Sequence, residues 1–559
     1  MPPVLVRALQ KRMRRYMNAG GKKPKTQKIG RGSHWDKIAV QALERKIKIQ
    51  NTDVFVTECG LGASGFPHIG SFADASRAYA IKMAVEDQKI YKAEFFAYSD
   101  DLDGLRKVPA GLPSDLEAWL GVPVTMIPDP EGCHNSYGEH MSSLLLDSLD
   151  AAGIDYRHKS AAKLYREGVF TDQITKLLRN ADKAGQIIQA VTGQEKYTES
   201  IPFHPICKEC KKIYTTVVNK VDLEKHQVSY TCEDAEIGGK IIAGCGYQGT
   251  ADYSKGEGKL SWKVEFASRW AALQIDFEPY GKDILESVKV NDRICREILG
   301  YEPPFHIKYE MFLDKGGSKI SKSKGNVFTP QMWYRYGTPQ SLILLTLKRI
   351  EGTRSLSIDD IPKYMDEIDD LSALYFGLKK EKDPKRAMMN KALYEYCWWL
   401  NPPQQSFISA KQVPYTLMSL LVQYAPTDTE EDFVRSKLQE YGYLSSPNEW
   451  KGPVVTKFQY ASAWAKEQTE EDQDMEIELS QIEEKALRAL IEALPNAKTS
   501  NEINTAIVTA AEENGLNKRK FYPLLYQIFL GTTRGPKIAP LFKDMGIETV
   551  VEKIKAVLN

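Results

Sequence analysis

The sequence predicts an α/β protein: a parallel-sheet domain, interrupted by an insertion, followed by an all-helical C-terminal half. Three observations carry that expectation. Residues 53–101 read as strand, glycine loop, helix and strand; the alternation returns from about residue 260 to 326; strand signals fade beyond about residue 330. At 559 residues the chain is too long for one core and divides into two to four domains.

The stretch ahead of Trp35 stands apart. Between Met1 and Trp35 there are ten Lys or Arg residues and no acid. That composition suits phosphate contacts, a solvated flexible arm or an organelle-targeting segment. Over the whole chain 75 basic side chains balance 74 acidic ones, so net charge selects no partner. No stretch approaches the roughly 18 consecutive apolar residues of a membrane span. The expectation is a soluble, cytoplasmic protein with no membrane contact, and nothing in the sequence specifies an oligomeric state.

After the arm, "WDKIAVQALERKIKIQ" spaces its apolar residues as a helix does. "DVFVTECG" then reads as a buried strand, "FADASRAYAIKMAVEDQ" as a helix, and "AEFFAYSDD" as a second strand ending in carboxylates. Parallel strands need such a crossover because a hairpin cannot join them. The turn "ASGFPHIGSF", residues 63–72, then lies beyond the carboxyl end of the first strand, where ligands bind and a helix N-terminus offers amides to anions. A histidine there can donate to a nucleotide phosphate, and a glycine two residues on lets an adenine ring press against the backbone. His68 and Gly70 have that spacing; a Pro-His-X-Gly turn that merely caps the helix is the competing explanation. Asp100, Asp101 and Asp103 likewise serve either a turn before Gly104 or an amine ligand.

Residues 150–260 interrupt the pattern and read as an insertion. Within it Cys207, Cys210, Cys232 and Cys245 follow the pattern C-x2-C-x21-C-x12-C, whereas Cys59, Cys133, Cys295 and Cys397 are scattered. The quartet suits a zinc ribbon over 207–245, structural because four protein ligands leave no open position. Its second pair is too far apart for a standard knuckle, and a degenerate ribbon with unligated thiols is the alternative. Further on, "SKISKSKGN" at 318–326 sets Lys319, Lys322 and Lys324 among small residues, a mobile cationic loop. Flexible ammonium groups there would stabilise the charge that builds on a departing pyrophosphate. A solvated basic loop accounts for each lysine singly but not for its pairing with His68 and Gly70 across half a sheet.

"PHIGS" and "KISKS" match the HIGH and KMSKS signatures of class I aminoacyl-tRNA synthetases. With "GLGASGFPHIGSF", "YSDDLDGLRKVP", "WKVEFASRWAALQIDFEPYGKD" and "YEMFLDKGGSKISKSKGN", the chain resembles class I lysyl-tRNA synthetases in the form found in some bacteria. The resemblance runs from about residue 35 to the C-terminus, where "GTTRGPKIAPLFKDMGIETVVEKI" is similar to the end of a helical anticodon-binding domain. It implies a Rossmann-like HIGH/KMSKS domain over 35–330 with the insertion at about 150–260, stem-contact helices over 331–390 and an anticodon-binding domain over 391–559. It also implies ATP with Mg2+, L-lysine and tRNA(Lys) as reactants.

Carried over residue by residue, it gives His68, Gly70, Lys319 and Lys322 the catalytic roles. Ser64, Gly281 and Asp283 join these four around ATP, and Gly60, Asp74, Trp262 and Tyr309 around lysine. Asp74 stands where the family usually has glutamate, Gly62 where many members have threonine, and Ile284 where many have histidine. Asp74 has independent support, since a pocket for lysine must pair a buried ammonium with a carboxylate. Rival readings are a small-molecule adenylylating enzyme, a synthetase for another amino acid such as glutamate, and a catalytically silent paralogue that binds RNA or senses lysine.

Overall fold

The computed structural model describes residues 31–49, 52–198, 200–310, 312–313, 328–404, 413–426, 428–467, 479–530 and 537–558. Two compact units emerge: Met1–Gln331 with Leu342–Ser357 and Lys379–Pro402, and Met332–Ser341 with Ile358–Leu378 and Pro403–Asn559.

The first unit is built on helix α1 (His34–Ile49), strand β1 (Val54–Gly62), helix α2 (Ile69–Asp87), strand β2 (Lys92–Asp100), strand β3 (Arg157–Ser160), helix α3 (Trp262–Leu273), and strands β4 (Phe277–Gly281) and β5 (Phe305–Tyr309). The five strands form one parallel sheet in the order β5-β4-β1-β2-β3. The chain therefore moves outward from β1 to β3, then returns to the other side of β1, which makes the β1/β4 seam the switch point of the sheet. Helix α2 is buried along most of its length, and Ala73, Ala75, Ala78, Ala80 and Ala84, all fully buried, let it lie close to the strands.

Strand β3 lies inside the stretch read from sequence as an insertion and is the edge of the main sheet. Its four residues, Arg-His-Lys-Ser, are half-buried or exposed and carry no apolar pattern. The interruption proper follows it: helices Ala161–Arg166, Thr171–Arg179 and Ala181–Thr192, then an antiparallel sheet of Thr216–Asp222, Gln227–Cys232 and Gln248–Asp252. It returns through Gly258–Leu260, paired with Phe203–Pro205. Phe170, Ile187 and Tyr253 of this segment share one hydrophobic core with Val56, Phe96 and Tyr98 of the sheet.

In the second unit the described residues are helical, from Ile361–Tyr375 through Tyr415–Gln423 to Ile547–Leu558. Two helices start with full capping boxes, Ser480 with Glu483 and Thr499 with Glu502. Asp366 accepts from the Thr416 backbone N–H (3.2 Å) and hydroxyl (2.6 Å), which fixes the start of Tyr415–Gln423. No helix among the described residues is long and apolar enough to cross a membrane.

Helix α1 is pinned to the sheet by charge. Lys46 Nζ lies 2.7 Å from Asp276 Oδ2, both side chains essentially unexposed, and the same oxygen accepts from Val56 N at 3.0 Å. Lys46→Met should cost about 3 to 5 kcal/mol, because it strands a buried carboxylate, whereas replacing both partners by apolar residues should cost far less. Urea unfolding of the two variants measures the difference.

Candidate active site

The β1–β2 register, from Val54 opposite Lys92 to Gly62 opposite Asp100, ends both strands level. Across the seam Gly281 lies beside Tyr309 in the same way. The carboxyl edge thus gathers Gly60, Gly62, Asp100, Gly281 and Tyr309. The loop leaving β1 is held by Tyr137, whose hydroxyl donates to the Ser64 carbonyl at 3.0 Å. It ends at His68, the N-cap of α2, where Nδ1 accepts from Ser71 N at 3.3 Å. The helix-capping explanation is therefore met by this histidine, and the bond places the ring proton on Nε2. Gly70 is needed by that ring: a Cβ there would sit 2.7 Å from His68 Cε1 and Nδ1. One residue on from the histidine, Ile69 N donates to the Phe328 carbonyl at 2.9 Å. The chain just past the 318–326 stretch is thereby tied to the start of α2. Lys319 and Lys322 themselves lie outside the described residues.

On the exposed side of α2, Asp74 is a quarter exposed, and its Oδ1 stands 4.0 Å from Nη1 of Arg77, which is buried. The Arg77 guanidinium lies 4.2 Å from the centre of the Tyr309 ring. Burial pulls the Arg77 pKa down to about 10 against the pull of Asp74. In the sequence Arg77 is one polar residue of a helix and gives no signal of its own, yet it joins Asp74 to Tyr309, two residues expected around lysine. Gly281 packs against Asp283, 2.6 Å from a would-be Cβ, and against Tyr309 at 3.6 Å. Trp262 begins α3, and its ring contacts are with Phe266 at 5.2 Å and Lys263 at 5.7 Å.

Beneath this edge lie two buried charge clusters. Arg269 of α3 bridges Glu58 of β1 (2.5 Å) and Glu278 of β4 (2.7 Å), and Gly60 passes over it, with 3.8 Å from a would-be Cβ to Nη1. Burial, only partly countered by Arg269, pushes Glu58 up to about 8. The second cluster sets Lys259 among Asp100, Asp103 and Glu265. Asp101 is not part of it: its Oδ1 accepts from Ala162 N at 2.8 Å, a turn role.

Two donor sets have the chemistry of metal sites. The Sγ atoms of Cys207, Cys210, Cys232 and Cys245 lie within 4.8 Å of one another, with Cys207 to Cys245 at 3.6 Å and Cys210 to Cys232 at 3.7 Å. Tetrahedral zinc with bonds of about 2.3 Å sets its sulfurs about 3.8 Å apart, so the quartet fits the ion. The spacer between Cys232 and Cys245, too long for a knuckle, is folded away as a hairpin, Ala235–Ile237 against Lys240–Ile242. The second set, Asp129, Cys133, His134 and His140, was not expected. Cys133 Sγ is 3.1 Å from His134 Nδ1 and 3.2 Å from His140 Nδ1, and His140 Nδ1 is 3.2 Å from Asp129 Oδ1. This set straddles the start of helix Tyr137–Ala151, which supplies the Tyr137 that holds the Ser64 loop. Its signal is legible as D-x3-C-H-x5-H, although Cys133 taken alone reads as a scattered thiol.

A parallel sheet with a histidine and glycine turn at its switch point has the architecture of a nucleotide-binding α/β domain. The signature of the family described as "tRNA synthetases class I (K)" matches residues 33–397. A lysine–tRNA ligase of Cenarchaeum symbiosum (strain A) is 44% identical over 532 residues, 94% of this chain and 99% of that one. One from Archaeoglobus fulgidus is 30% identical, covering 94% of this chain and 100% of that one; one from Rickettsia prowazekii is 31% identical, covering 88% and 90%. The chain belongs to the class I lysyl-tRNA synthetase family.

Metal analysis of protein purified without chelator should find two divalent ions per chain. Cys207→Ser should lose one and His140→Ala the other, each with a lower melting temperature; unchanged metal content in either variant would remove that donor set.

Proposed function

We propose that the chain is a lysine–tRNA ligase that activates L-lysine with ATP and passes it to the 3′ end of tRNA(Lys). Membership in this family carries the reading, supported by the His68–Gly70 turn at the β1/β4 switch point. In the first step the lysine carboxylate attacks the α-phosphorus of ATP and pyrophosphate leaves; in the second a hydroxyl of the terminal ribose attacks the activated carbonyl. Neither step needs a protein nucleophile, so positioning and charge stabilisation carry the catalysis. ATP enters with Mg2+, as in the family reaction.

His68, Gly70 and Ser64, with Gly281 and Asp283, form the ATP side, and Lys319 and Lys322 meet the phosphates as charge develops. Gly60, Asp74, Trp262 and Tyr309 form the lysine side. The cysteine quartet holds a structural zinc. Residues 331–390 contact the acceptor stem, 391–559 read the anticodon, and the basic arm over 1–34 adds phosphate contacts. The reaction belongs in the cytoplasm, where charged tRNA is used.

ATP–pyrophosphate exchange with each of the twenty amino acids tests the reading, and lysine alone should support it. Lys322→Ala should slow adenylate formation by roughly 2 to 4 kcal/mol of activation energy while leaving ground-state ATP affinity nearly intact. An unchanged single-turnover rate would take the loop out of the mechanism.

Asp74→Asn should raise the KM for lysine by the equivalent of about 2 to 5 kcal/mol with ATP binding near normal, since it leaves Arg77 facing the incoming ammonium without its acid. Wild-type lysine kinetics in that variant would move the ammonium elsewhere.

A further inference from the structure

The turn that ends at His68 rests on a small hydrophobic core of its own. Ala63 and Phe66, on either side of Ser64, pack with Leu105, Val122, Val124 and Tyr137 in a cluster distinct from the one that joins the insertion to the main sheet. From Ser64 to Pro67 the backbone is neither helix nor strand. Apolar packing is not directional, so by itself it lets a short loop rock on its support. Among the described residues, the bond from the Tyr137 hydroxyl to the Ser64 carbonyl, 3.0 Å, is the one side-chain hydrogen bond made by residues 64–67.

Tyr137 is itself tightly fixed. It opens helix Tyr137–Ala151, whose N-cap Ser136 accepts from Glu139 N at 3.2 Å. Its own N–H donates to the Ile127 carbonyl at 2.9 Å. Its neighbour Gly138 lies so close to Val124 that a Cβ there would stand 2.8 Å from Val124 Cγ2 and 3.1 Å from the Val124 carbonyl carbon. The Val124 N–H is anchored in turn on the Asp103 carbonyl at 2.9 Å. The tyrosine side chain is fully buried. A phenylalanine would fill the same space, so packing accounts for the ring and leaves the oxygen to be explained. A buried phenol needs a partner, and the partner it has is the loop of the nucleotide side.

We propose that Tyr137 is a positioning residue of the reaction: its hydroxyl fixes Ser64, and with it the turn that ends at His68, in the setting that receives ATP. The assignment rests on the reading of this cleft as an ATP-dependent activating site and adds to it a residue that acts only through Ser64. Its influence falls on ATP and not on lysine. Gly60, Asp74, Trp262 and Tyr309 stand on β1, α2, α3 and β5, outside the loop that Tyr137 holds.

Tyr137→Phe keeps the ring and removes the one bond, so it tests the hydroxyl without emptying the core. The dissociation constant for ATP with Mg2+, measured by calorimetry without any amino acid, should rise roughly three- to tenfold, the range open to a single neutral hydrogen bond, and the KM for ATP in lysine-dependent pyrophosphate exchange should rise with it. The KM for lysine should stay within about twofold and the melting temperature within about 2 °C. An unchanged ATP constant would overturn the assignment. So would equal losses for ATP and lysine together with a lower melting temperature, which is the signature of a residue that only stabilises the fold. If the wild type binds ATP but exchanges no pyrophosphate with lysine, the functional reading fails separately, and the calorimetric comparison still decides the part played by Tyr137.

Discussion

The β1/β4 seam has the shortest registered pairing in this sheet, and buried side-chain charges cross it. Only Thr57 and Phe277 pair in register across it, with Asp276 N donating to the Val56 carbonyl at 2.8 Å beside them. Further cohesion comes from α2, which packs on both strands, from Arg269, which draws Glu58 and Glu278 together, and from the Lys46–Asp276 pair. Glu58 and Glu278 sit side by side on neighbouring strands and would repel if left alone. The guanidinium reaches both, donating to Glu278 at 2.7 Å and pairing by charge with Glu58 at 2.5 Å. Because Arg269 comes from α3, the charge that spans the seam is supplied by chain that follows the whole interruption between β3 and α3.

The position of the seam has a functional consequence. In parallel sheets of this kind the loops leaving the two strands at a switch point run to opposite faces, which is where ligands bind. His68 and Gly70 exploit that position in a coupled way. The imidazole caps α2 only because Gly70 leaves room for it, so the residue that fixes the ring and the residue that yields space to it form a single device.

Much of this was legible in the sequence because it follows periodicity or a fixed motif. The β1–α2–β2 unit showed itself as two nearly continuous buried runs around a helix, and the four clustered cysteines by their spacing. What was missed has physical reasons. Strand β3 is a short edge with charged residues, so no apolar pattern marks it. The cysteine quartet looked irregular because a hairpin consumes the spacer between Cys232 and Cys245. Lys259, Glu265 and Arg269 are charged residues in the core, and their burial is intelligible only once Asp100, Glu58 and Glu278 are beside them. No local rule links Asp100 to Lys259 or Glu58 to Arg269, because the whole insertion lies between them in the chain.

Those buried charges follow one pattern. Asp74 has Arg77, the Glu58–Glu278 pair has Arg269, and the Asp100–Asp103–Glu265 group has Lys259, so each acidic element of the floor is given a cation, and the two larger clusters contain more acids than cations. Excess carboxylate in a low-dielectric floor raises the pKa of one member in each, Glu58 and Glu265, to about 8. A proton held by one acid of each cluster offsets the shortage of cations there. Because one guanidinium or one ammonium holds several acids at once, removing that single cation would disturb every carboxylate around it.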